Sequence, residues 1–143
     1  MYNNGVFYQE LDKVCREIET RKSDVNDFDR VIEAYQTMLH LAGIARSEGL
    51  LAMESEARNM GDKDMHVYLF ALVESLFDVI EPEDIEDMGF CMYFAHGLRS
   101  YDGLIYLIYL KGILMMQKNL SSTAIREKLR AMLPLDISMS IQK

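Results

Sequence analysis

The sequence predicts an all-α fold, an irregular bundle of five to six helices with one long helix near residues 28–58. Three observations carry that expectation. Apolar residues return every three or four positions through most of the chain, the period of an amphipathic helix. No run alternates apolar and polar side chains over a strand's length. Turn formers separate the periodic segments, in "SDVNDFD", "NMGDKD" and "HGLRSYDG".

Taken in order, residues 6–22, "VFYQELDKVCREIETRK", carry Phe7, Leu11, Val14, Cys15 and Ile18 on one helical face. Ser23, Asp24 and Asn26 then offer N-caps. From about Phe28 to Arg58 the residues Val31, Ile32, Tyr35, Met38, Leu39, Ala42 and Leu50 recur at helical spacing. This reads as one long helix, or as two broken near Gly43 or Gly49. Gly61 is a stop signal, and Asp62 or Asp64 caps the next helix.

Residues 65–81, "MHVYLFALVESLFDVIE", are apolar on nearly every side and are expected to form the central helix. Pro82 suits the first turn of the next helix. Glu83, Asp84, Glu86 and Asp87 come directly after it, where the helix dipole favours negative charge. The D-x-D-x-D-G pattern of a calcium loop is absent from this acidic stretch. "LIYLIYLKGILMM", Leu104–Met116, is 13 residues long and holds Lys111. About 20 residues are needed to cross a bilayer, so it is a core helix. The last helix is capped by Ser121 or Ser122, buries Ile125, Leu129 and Met132 or Leu133, and ends at Pro134.

With 143 residues the chain suits a single domain, 1–143, and half of it is hydrophobic. A net charge of −8 argues against nucleic acid and against an anionic membrane surface. The basic group Arg126, Lys128 and Arg130 reads as a solvated helix face. Two cysteines, Cys15 and Cys91, make neither a disulfide framework nor a zinc site. Without a secretory signal segment, the expected location is cytoplasmic. His40, His66 and His96 fall on separate elements, and no nucleotide, metalloprotease or nucleophile-elbow motif occurs. No metal, no cofactor and no enzymatic activity are therefore expected. The eleven methionines read as core filler, with a Met-rich groove for a partner helix as the alternative.

Residues 45–59, "ARSEGLLAMESEARN", stand apart, because Gly49 interrupts a segment otherwise suited to a helix. On a continuous helix Arg46, Leu50 and Glu54 fall at i, i+4 and i+8, so a positive and a negative tip lie roughly 12 Å apart on one ridge. Glu48 flanks that ridge. Gly49 lies beside it, where a missing side chain would let another backbone approach.

"ARSEGLLAMESE" resembles the A-R-x-E-G-L-L-x-L-E segment that opens the cytoplasmic region of the MotA family, the proton-channel stator subunits of the bacterial flagellar motor. Residues 69–85, "LFALVESLFDVIEPEDI", and 110–134, "LKGILMMQKNLSSTAIREKLRAMLP", are similar to later stretches of that region in the same order. The resemblance covers residues 39–134 and leaves 1–35 outside it. Where the family has Gly before its last helix this chain has Asn119, which also tolerates a left-handed backbone. Where the family has Pro this chain has Ser122, so Ser121 can cap. The family's membrane spans have no counterpart, since only about Met88–Gly103 lies where two would fall, and ion conduction cannot be inherited.

The resemblance implies a rotor-facing interaction module in which Arg46 and Glu54 engage charged residues of the rotor switch protein, with Leu50 and Glu48 beside them. Flagellar rotor or stator components are the implied protein partners. It also implies a packing role for Gly49. Two other functions are open from the residues themselves. One is a small ligand-binding protein or enzyme using Tyr93 and His96; the other is a stand-alone homo-oligomer unrelated to motility.

Overall fold

The computed structural model describes residues 4–20, 25–60, 65–78 and 81–141, and among these eight helices occur and no strand. They are α1 (Asn4–Glu19), α2 (Val25–Glu48), α3 (Leu50–Asn59), α4 (His66–Asp78), α5 (Pro82–Ala95), α6 (Ser100–Gln117), α7 (Ser122–Ala131) and α8 (Leu135–Ser140). The class is as the periodicity predicts, while the count exceeds five to six for two local reasons. The long helix expected near 28–58 divides at Gly49, and Pro134 does not end the chain's helices but opens α8. The stop expected at Gly61–Asp64 and the caps expected at Ser23 and Asp24 lie outside the described residues.

The centre of the bundle is α6, not the segment 65–81. Fifteen of the α6 side chains or glycines are buried, from Ser100 to Met116, with Asp102 and Lys111 the exceptions inside that span. By contrast α4 leaves Val67 68% and Phe77 40% exposed, and among the described residues it buries Leu69, Leu72, Val73 and Ser75. Helix α6 packs against α1, α2, α4, α5 and α7, which enclose it. A helix apolar all round is stable in water only when wrapped in this way.

Three glycines set how closely the wrapping helices come. A Cβ on Gly103 would meet Val14 of α1 at 2.7 Å, one on Gly112 would meet Met38 of α2 at 2.5 Å, and one on Gly89 of α5 would meet Leu110 at 2.6 Å. Lys111 keeps its place in this helix by lying over the rings of Phe7 and Tyr8, 5.0 and 5.4 Å from their centroids. Its stem is buried while its ammonium stays at the edge.

Both ends of α6 are pinned. At the N-terminus Ser100 has φ 55°, unusual for a residue with a side chain, and its amide donates to the Glu17 carboxylate of α1 at 2.8 Å. Asp102 in the first turn pairs with Arg30 of α2. At the C-terminus Asn119 adopts φ 59°, as its tolerance of the left-handed region predicts, and the Leu120 amide reaches back to the Met115 carbonyl at 3.2 Å. Ser121 then caps α7, its hydroxyl accepting from the Ala124 amide at 3.1 Å. Pro82 begins α5 with Glu83 and Asp84 in the first turn, again as predicted. On α7 and beyond it Ile125, Leu129, Met132 and Leu133 are all buried.

An aromatic cluster closes the α5–α6 interface. The Tyr106 hydroxyl donates to the Gly89 carbonyl, and its ring lies 5.6 Å from Tyr93 and 5.8 Å from Tyr68. Burial pushes Tyr93 and Tyr106 well above the usual tyrosine range, and for Tyr93 the Glu10 carboxylate adds to it. The Glu10 carboxylate acts on the Tyr93 hydroxyl through its charge and by hydrogen bonding to the neutral phenol.

An unfolded tyrosine ionises near pH 10 while these two stay neutral in the fold, so above pH 10 the native state holds more protons and stability falls as pH rises. Urea denaturation followed from pH 8 upward should show stability declining from about pH 9, where the Cys15 thiol ionises in the unfolded chain but is held protonated in the fold, and more steeply above about pH 10, each of these two tyrosines then contributing about 1.4 kcal/mol per pH unit. Tyr93→Phe should flatten the decline above pH 10, because it removes the hydroxyl whose raised pKa contributes to it.

Candidate functional site

The segment singled out by its sequence folds into a helical corner. Helix α2 ends at Glu48, Gly49 takes φ 99° and ψ 168°, and α3 starts at Leu50. That region of backbone space is open essentially to glycine alone. Gly49 bonds on both sides of the corner: its amide donates to the Ala45 carbonyl at 3.1 Å and its carbonyl accepts from the Met53 amide at 3.2 Å. The chain then doubles back along α2. His40 Nε2 meets Glu56 Oε2 at 2.7 Å, although sixteen positions on one straight helix would span about 24 Å. Ala42, Met53 and Ala57 are buried as the two helices pack.

This geometry corrects two expectations. Arg46, Leu50 and Glu54 do not share a ridge, because the residues before and after Gly49 belong to different helices. Nor does Gly49 admit a neighbouring backbone, since nothing lies within 4 Å of the position its Cβ would take. Glycine is needed there for its torsion angles.

Arg46 reaches from α2 to the end of α6. Its Nη1 donates to the Asn119 and Leu120 carbonyls, each at 3.3 Å, and lies 3.4 Å from the Asn119 side-chain oxygen. A guanidinium at the negative end of a helix dipole is favourable. Arg46 is thus exposed yet tied down, and it joins two segments separated by more than 70 positions. Glu54 is half-buried and occupied differently: Arg58, one turn on, donates to it at 3.0 Å while lying over the Phe70 ring of α4. Glu54 therefore serves the α3–α4 side of the corner.

What the corner presents is apolar. Leu50 is 38% and Leu51 74% exposed, with Glu48 and Arg46 exposed beside them. Below Leu50 a groove of about 200 Å³ runs between Ala42 and Ala45 on one side and Met116, Leu120 and Ile125 on the other. The structure therefore gathers Arg46, Leu50, Gly49, Asn119 and Ser121 at one end of the bundle, while Pro82 belongs to the start of α5. Leu51 falls off the ridge that a continuous helix would present, so periodicity does not mark it. Its one signal in the sequence is its place in the doubled "LL" after the glycine.

The residues suited to chemistry do not converge. Tyr93 is buried, whereas His96 is exposed at the C-cap of α5, with its ring against Tyr68 at 5.3 Å. Cys15 borders a cavity of about 380 Å³ with Ile18, Phe28 and Tyr101. Burial, then Asp12 and Glu19, push its thiol above the usual range, away from the thiolate a nucleophile requires. Among the described residues no three His, Cys, Asp or Glu side chains cluster to hold a metal, and no helix is long and apolar enough to cross a membrane.

Compared with known protein families, curated proteins and solved structures, the chain matches none.

Two glycines six positions apart separate conformation from packing. Gly43 lies inside α2 with open space around its Cβ position. Gly43→Ala should therefore raise stability by about 0.5–1 kcal/mol through helix propensity. Gly49→Ala should lower it by about 1–3 kcal/mol, the cost of holding alanine in a glycine-only conformation. Urea denaturation of both variants tests this; equal shifts would contradict the corner.

Proposed function

We propose that this chain is a non-enzymatic, all-helical protein-interaction module whose docking surface is the α2–α3 corner with the adjoining α6–α7 turn. The observation that carries the reading is the exposed Leu50–Leu51 pair above an apolar groove, on a turn whose shape Gly49 and Arg46 hold. Rigid presentation of an apolar anchor lowers the ordering cost of binding. Glu48, exposed at the rim, supplies orientation and encounter rate more than affinity.

The resemblance of residues 45–56 to the MotA cytoplasmic segment makes the flagellar rotor switch protein the first partner to test and stator components the second. On this reading Leu50 and Leu51 are the anchors and Glu48 the orienting charge. Arg46 contributes mainly by fixing the turn, and Glu54 by packing α3 on α4.

Calorimetric titration of the purified chain against the rotor switch protein should give saturable binding. Leu51→Asp should weaken it about tenfold or more, the effect of losing one well-placed anchor, with the melting temperature unchanged. Glu48→Lys should weaken it less and reduce its dependence on salt. Unaltered affinity in Leu51→Asp would remove the corner as the docking surface. Loss of self-association in that variant, with no rotor or stator binding by the parent chain, would instead identify a second copy as the partner.

A further inference from the structure

The basic group of α7 is more than a solvated face. Arg126 and Arg130 are four positions apart and so share one side of the helix. Both border a cavity of about 440 Å³ that is walled by Tyr35, Gln36 and Leu39 of α2 and by Ile141 at the end of α8. The volume falls in the range of small-molecule sites. We propose that this cavity binds a small organic anion, a carboxylate or phosphate head on an apolar body, with the two arginines on the head and Leu39 and Ile141 against the body. The site is separate from the corner, which takes Ile125 from the same helix.

Several features support the assignment. Arg130 is preorganised, donating through Nη2 to the Ser138 carbonyl at 3.2 Å and through Nε to the Ser138 hydroxyl at 3.4 Å. Two contacts leave part of its five-donor fork for a ligand. Arg126 has a loose partner in Glu127, 3.8 Å away between groups that are 52% and 69% exposed, an arrangement that adds little stability. In a chain of net charge −8 these two guanidiniums border the same concavity.

Tyr35, almost fully buried, reports the local field. Burial pushes its hydroxyl above the usual range while Arg130 and Arg126 both pull it back, so both arginines act on the same wall of the cavity. Guanidinium forks match the paired oxygens of carboxylate and phosphate, which a lysine cannot do bidentately. Glu127 also lines the cavity and opposes an anion, which keeps the affinity modest and makes charge a sensitive test.

Phenyl phosphate and 3-phenylpropanoate, titrated separately into the full chain, are the probes, with inorganic phosphate and benzylamine as controls. The readouts are the arginine Nε–H signals and the Ile141 methyl signal in NMR spectra. Saturable shifts at Arg126, Arg130 and Ile141 are expected with one or both aromatic anions, at a dissociation constant of about 1 mM or tighter. The arm that binds more tightly identifies the head group. Arg126→Ala should weaken binding about tenfold with an unchanged melting temperature, since the side chain is exposed. Arg126→Lys should recover only part of it, and Glu127→Gln should tighten it. Three results would overturn the proposal: no saturation by about 10 mM, equal shifts with benzylamine, or arginine shifts as large with inorganic phosphate and none at Ile141, the mark of an adventitious ion only.

Discussion

Everything in this fold answers to one requirement: α6 has no polar face and must be enclosed. Its buried side chains run from Ser100 to Met116 and leave no stripe that water could wet without cost. Five helices do the enclosing, and each can therefore spend only one side on the interior. Glycines at 89, 103 and 112 let α5, α1 and α2 press close, so the enclosure is tight as well as complete. At several points where α6 meets polarity, a neighbour answers it. Glu17 and Arg30 meet its N-terminus, the rings of Phe7 and Tyr8 meet Lys111, and Arg46 binds the Asn119 and Leu120 carbonyls in the turn just after it.

The corner at Gly49 is a consequence of that enclosure. A straight helix over residues 28–58 would be about 45 Å long, far more than an 18-residue hub can cover. Reversal at Gly49 lays α3 back on α2, where Met53 and Ala57 reach the core and His40 meets Glu56. The apolar pair Leu50–Leu51 is left at the apex, held in place from both sides. A feature that is costly in isolation thus becomes a rigid, outward-facing element, as a docking surface requires.

Helix α7 links the two proposed sites without merging them. Its buried side supplies Ile125 and Leu129 to the core, and its polar side carries Arg126 and Arg130 toward α2 and α8. Such a strongly amphipathic helix can do both because residues four apart share a face while residues one apart do not. The short α8 matters for the same reason, since its Ser138 fixes the Arg130 guanidinium and Ile141 closes the cavity wall.

Periodicity and turn chemistry determined the helical class, the Pro82 start and the buried face of α7, while the left-handed Asn119 and the Ser121 cap followed from comparing this chain's turn residues with those of the resembling family. Each is a local matter, decided by a residue and its near neighbours. Which apolar helix is central was not local: α4 and α6 look alike in composition, and only packing shows that five neighbours surround α6. The candidate site was half legible. Gly49 marked the place, but periodicity counted across it as though the helix continued, and so joined Arg46 to Glu54. The actual partners of Arg46 lie beyond position 118, and Arg126 and Arg130 share a cavity with Tyr35 of α2, some ninety positions earlier. Contacts of such long sequence separation exist only once the chain is compact, because no spacing rule along a helix or turn encodes them.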